Sequence, residues 1–122
     1  MTVPPEDRRK QRSTDPLVAL HYQLSQTRSR SAIDAIVLAD PSGVVVAGAG
    51  AWVVCEELAA YAPLFEQDEV PERLAALRSD CDVRHLTAGG QAMLLCTMGK
   101  RAARAQAGAA ASEGVTRILE SV

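Results

Sequence analysis

The sequence predicts an α/β domain of the helix-sheet-helix type, a mainly antiparallel sheet sandwiched between helices. Three observations predict it. Two near-continuous apolar runs, Ile36-Val37-Leu38 and Val44-Val45-Val46, read as strands covered on both faces. Segments with helical spacing stand before, between and after strand-like ones. A length of 122 residues, 48% of them hydrophobic, suits one domain that buries its own core.

Residues 1–13 hold Pro4, Pro5, Glu6 and Asp7 ahead of Arg8, Arg9, Lys10 and Arg12, with almost nothing apolar to bury. They read as a flexible basic and proline-bearing arm, and the domain is expected over 14–122. Thr14 or Asp15 before Pro16 is a helix start, because the side chain caps free amides and proline lacks only an N–H that would have no partner. Leu17, Leu20 and Leu24 then share one face, to about Arg28. Strands are expected over 33–39 and 43–47, joined by the turn Asp40-Pro41-Ser42-Gly43, whose proline and glycine positions suit type I geometry. Gly48-Ala49-Gly50 frees the chain to leave the strand, and Trp52, Cys55, Leu58, Ala59 and Ala62 recur at helical spacing until Pro63 or just before it. Leu74, Ala75, Leu77 and Arg78 make a short third helix. Alternation over 81–87, the tight turn Ala88-Gly89-Gly90 and the apolar run 92–98 form a second hairpin. From Lys100 onward an alanine-rich helix presents Ala103, Ala107, Ala110, Gly114, Ile118 and Val122 as one stripe, small enough for close approach to the sheet.

Charge and composition exclude several functions. A net charge of −2 provides no field that would draw nucleic acid or an anionic membrane to the domain. The four aromatic residues do not interleave with Lys or Arg as a base-stacking surface requires. Cys55, Cys81 and Cys96 are odd in number and widely spaced, which fits neither a disulfide framework nor a zinc knuckle; they read as reduced, mostly buried thiols. No apolar run is long enough to span a bilayer and the first residues are polar, so the expected location is the cytoplasm.

No residue set here supports catalysis. A Cys96-His85 dyad across the second hairpin is the one conceivable nucleophile and base pair, set against the plainer reading of packed thiols beside a partly exposed histidine. Glu56 and Glu57 are adjacent on a helix and so point in different directions, as a solvated face does. Gly48-Ala49-Gly50 has the order strand, glycines, helix, but neither the third glycine of a dinucleotide loop nor the Lys-Ser/Thr of a P-loop follows. The histidines and cysteines are scattered over separate elements, without the spacing of a metal site. No catalytic, cofactor-binding or metal-ligating residue is assigned and no cofactor is expected. Trp52 reads equally as an interface anchor and as a core anchor.

The order helix, hairpin, helix, hairpin, helix resembles the roadblock/LC7 family over residues 17–122. The closest stretch is 35–64, where Ile36-Val37-Leu38-Ala39, the turn Asp40-Pro41-Ser42-Gly43, Val44-Val45-Val46-Ala47 and Glu57-Leu58-Ala59-Ala60 are similar to the family's central β-β-α pattern. The family's sheet has five strands, whereas four can be read here. The resemblance implies a non-catalytic scaffold that pairs with itself or a paralogue and presents a surface to a small Ras-like GTPase, a motor or a signalling complex; bacterial members regulate a polarity GTPase. On that resemblance the expected contact surface is the second helix at Trp52, Cys55, Glu56, Ala59 and Tyr61. Two other readings compete: a GAF- or profilin-like sensor that binds a small ligand in an apolar pocket, and, last, a cysteine enzyme built on Cys96 and His85.

Overall fold

The computed structural model describes residues 15–67 and 69–121. The arm expected over 1–13 and Val122 lie outside the described residues.

Helix α1 (Pro16–Ser31) begins where Asp15 caps it, its carboxylate accepting from the Leu17 and Val18 amides at 3.1 and 3.3 Å. It ends at Ala32, in the left-handed region with φ 54°. Strands β1 (Ala35–Ala39) and β2 (Val45–Ala49) form the first hairpin, followed by α2 (Trp52–Phe65), α3 (Glu72–Ser79), the hairpin of β3 (Cys81–Ala88) and β4 (Gln91–Met98), and the long helix α4 (Arg101–Glu120). The four strands lie in the order β2-β1-β4-β3, each pair antiparallel. Both hairpins are thus joined through their inner strands, β1 to β4.

Helices cover both faces. On one, Ile36 and Leu38 of β1 and Met93 and Leu95 of β4 pack against Leu20 and Leu24 of α1 and Ala107, Ala111 and Val115 of α4. On the other, Ala35, Val37, Ala39, Leu94 and Cys96 pack against Cys55, Leu58, Ala59, Ala62 and Phe65 of α2 and Leu74 of α3. All five residues of β1 are buried, the pattern of a strand with helices above and below. The predicted sandwich is the observed fold, with four strands.

Two boundaries and one stripe differ from expectation. Strand β2 runs from Val45 to Ala49, not 43–47, because Gly43 and Val44 stay in the turn: Asp40 accepts from the amides of Ser42 and Val44 at 2.9 and 3.1 Å, and Gly43 takes φ +92°. Helix α2 passes Pro63 to end at Phe65, whose ring is buried and stacks obliquely on Tyr61 at 6.1 Å between centroids. Burying that ring offsets the hydrogen bond that proline removes from the last turn. On α4 the inward residues are Arg104, Ala107, Gly108, Ala111, Gly114 and Val115, whereas Ala110 is exposed. The stripe is rotated because Gly108 and Gly114 are notches filled by Arg84 and Gln23; a Cβ at position 108 would stand 2.5 Å from the Arg84 Nε.

Candidate interaction surface

Helix α2 starts off β2, the edge of the sheet, and crosses β1 toward β4. Its inward stripe lies close to the strands because of a glycine: a Cβ on Gly48 would stand 3.1 Å from the Cys55 sulfur. Cys55 donates to the Ala49 carbonyl at 3.5 Å, and burial pushes its thiol above the usual range, only partly countered by the Arg28 charge. The strand-to-helix turn needs glycine at position 50, where φ is +117° and an added Cβ would stand 2.9 Å from the Asp34 carbonyl oxygen.

The first turn of α2 leaves its large apolar groups in solvent. Trp52 is 53% exposed and Val53 66% exposed. Trp52 is therefore not a buried core residue of this chain. Glu56, Glu57 and Ala60 continue the open face, and Tyr61 is half-buried at its border. Of the residues expected at a contact surface, Trp52, Glu56 and Tyr61 fall on or beside that face. Cys55 and Ala59 do not, since both are fully buried against the sheet. Helical periodicity grouped them correctly with Leu58 and Ala62, and that grouping places them inside. Val53, not among the expected residues, is exposed beside Trp52; its adjacency to the tryptophan becomes informative only once the direction of the stripe is known.

Electrostatics sharpen the patch. Residues 41–55 carry no charged side chain, and carboxylates follow at Glu56 and Glu57. The helix itself is therefore uncharged over its first turn and acidic one turn on, with Arg28 and Asp34 of the preceding segment near its start.

The other candidate groups are placed elsewhere. His85 lies opposite Leu94, and its Nε2 is 2.6 Å from Glu66 Oε2; Cys96 lies opposite Val83, fully buried. The contact of His85 with Glu66 and the burial of Cys96 fit the plainer reading of packed thiols beside a partly exposed histidine better than the conceivable dyad. Among the described residues no group of three or more His, Cys, Asp or Glu side chains converges as metal ligands would. Surface clefts of about 460, 340 and 230 Å³ open to solvent; the first is lined by Ser79, Asp80, Asp82, Lys100, Arg101 and Arg104, a charged rim and not the deep apolar pocket of a ligand sensor. No described helix is long and apolar enough to cross a membrane.

No protein-family model matches the sequence, and no curated protein matches it. Among solved structures the fold is similar to that of Myxococcus xanthus MglB, with a TM-score of 0.58 at 14% identity over 88% of this chain and 92% of that one. At that identity the likeness is one of architecture. The chain has a roadblock/longin-like fold, built, among the described residues, on four helices and a four-stranded antiparallel sheet.

Proposed function

We propose that this chain is a non-catalytic interaction module that pairs with itself or a paralogue and acts as a scaffold or regulator of a small Ras-like GTPase. The observation that carries the interaction reading is the exposure of Trp52 beside Val53 on a helix whose inward stripe is already satisfied by the sheet. The GTPase part is supported by the likeness in fold to MglB, a roadblock/longin-fold GTPase regulator. On this reading the chain acts by positioning the partner's own catalytic groups, with Trp52 as the anchor, Val53 beside it and Glu56 and Tyr61 at the rim.

The test pairs two measurements on the wild-type chain and on Trp52→Ala. Light scattering at micromolar concentration reads self-association, and GTP hydrolysis by a small GTPase of the same host reads regulation. The expected result is a wild-type dimer that changes the GTPase rate, and a variant with an unchanged melting temperature that loses about tenfold or more in affinity for its partner, as a truncated hot-spot tryptophan does. A chain that stays monomeric and leaves hydrolysis unchanged, with or without Trp52, overturns the proposal.

A further inference from the structure

Two of the three cysteines meet. Cys81 opens β3 and Cys96 lies in β4; in the ladder Cys81 stands opposite Met98 and Val83 opposite Cys96, so the two cysteines are diagonal neighbours on one face of the hairpin. The turn Gly89-Gly90 makes Ala88 and Gln91 the first pair, and alternating outward from it puts Cys81 and Met98 at a closely spaced position without mutual hydrogen bonds. At such a position the right-handed twist of a hairpin swings a first-strand side chain toward the residue two before its partner. For Cys81 that residue is Cys96, so the two thiols face each other on the α2 side of the sheet.

Their surroundings differ in a useful way. Cys96 is fully buried in the α2 layer of the core, whereas Cys81 is only partly covered. The neighbouring Cys96 thiol, helped by the nearby Arg104 charge, holds the Cys81 thiol below its ordinary value despite some burial and the Asp80 and Asp82 carboxylates. The Cys81 thiol and burial push Cys96 up. The thiolate therefore forms first on the residue that solvent reaches. Cys55 takes no part, since its sulfur is turned to the Ala49 carbonyl under α2.

We propose that Cys81 and Cys96 form an oxidation site, a dithiol that a peroxide converts to an intrachain disulfide across the β3·β4 hairpin. The Cys81 thiolate attacks one peroxide oxygen: an S–O bond forms, the O–O bond breaks, and the leaving hydroxide takes a proton to become water. The Cys96 sulfur then attacks the Cys81 sulfenic acid; the S–S bond forms, the S–O bond breaks, and the Cys96 proton leaves with the hydroxyl as a second water. The two thiols are oxidised and the peroxide is reduced. The product ties the first residue of the outer strand β3 to the inner strand β4, beside the junction with α3.

Treating the full chain with hydrogen peroxide tests this. Denatured afterwards, the protein should show a single free thiol, Cys55. A tryptic digest should contain the Cys81 peptide (79–84) linked to the Cys96 peptide (85–100), and a dithiol reductant should separate them. Cys96→Ser should stop the reaction at a Cys81 sulfenic acid that dimedone traps, and Cys81→Ser should give neither link nor adduct. Three intact thiols under conditions that fully oxidise glutathione overturn the proposal, as does a link that joins two chains or includes Cys55. The wild-type digest decides the question even if a serine variant folds poorly.

Discussion

The two edges of the sheet are built in opposite ways. Strand β3 is long and charged, and Asp82, Arg84 and His85 each reach a different neighbour: Arg84 donates to the Ala105 carbonyl of α4 at 3.4 Å, His85 meets Glu66 after α2, and Asp82 lies 3.4 Å from the Arg104 Nε. Strand β2 is short and uncharged, with Val46 as an extra residue in the ladder between Leu38↔Ala47 and Ala39↔Val45. Among the described residues the side chain that reaches its backbone from α1 is His21, whose Nδ1 lies within 3.2 Å of the Gly48 carbonyl and 3.4 Å of its amide. Charge and bulges are two ways of keeping an edge from pairing with another chain. Here the charged edge is laced to the helices, while the bulged edge leads directly into the exposed Trp52. The difference separates a structural side of the molecule from the side proposed to meet a partner.

The clasp on the structural side centres on Arg104. Its guanidinium Nη1 donates to the carbonyls of Ser79 and Gly99 at 3.0 and 3.1 Å, joining the end of α3 to the end of β4, and the residue is only 6% exposed. Arg104→Ala strips both carbonyls of their donor and leaves Asp82 without its cation. We expect a loss of about 2–4 kcal/mol in urea unfolding, the largest of the effects predicted for stability. A loss under about 1 kcal/mol would mean that the charged edge is not held from this point.

On the other edge the sensitive position is backbone. Gly50→Ala places a side chain at φ +117° with the Asp34 carbonyl 2.9 Å away, so either the turn or the start of α2 must move. About 1–3 kcal/mol of destabilisation is expected by urea unfolding. Because Trp52 follows two residues on, the variant should also weaken association, whereas Arg104→Ala should lower stability with association intact in the folded fraction. Equal effects of both variants on association would erase the distinction between the edges.

How much of this the sequence shows depends on whether the signal is periodic. The apolar run of β1, the inward stripe Cys55, Leu58, Ala59 and Ala62, and the second hairpin with its Gly89-Gly90 turn are all periodic or punctuated, and the structure has them within a residue or two. Arg104 is the opposite case. An arginine in an alanine-rich helix reads as solvated, and only the meeting of the α3 end with the β4 end supplies the carbonyls that bury it. The rotation of the α4 stripe past Ala110 likewise depends on Arg84 and Gln23, which come from other elements to fill the glycine notches. For the candidate site, the helix was legible but its open side was not. Trp52 stands three positions before Cys55 and belongs to the same stripe by spacing; it is exposed because α2 leaves the sheet from an edge strand.

The mildest prediction concerns the turn that sets the β2 register. Asp40 Oδ1 accepts from the Ser42 amide at 2.9 Å, the Ser42 hydroxyl at 2.5 Å and the Val44 amide at 3.1 Å. The Ser42 hydroxyl contributes most to holding the carboxyl below its ordinary value of 3.8, with the Val44 amide next. A carboxylate whose folded pKa lies below its unfolded one binds its proton more readily in the unfolded chain, so its contribution to stability is complete above the unfolded value and fades as pH falls through the folded one. The melting temperature of the wild type should therefore fall more than that of Asp40→Asn as pH drops from about 5 to below 3.8, with the two curves converging at the acid end. Asparagine keeps an acceptor for the Val44 amide but no charge, which isolates the ionic part of the turn. Parallel curves across that window would mean that the turn into β2 is set by Gly43 and the valine packing and not by the Asp40 charge.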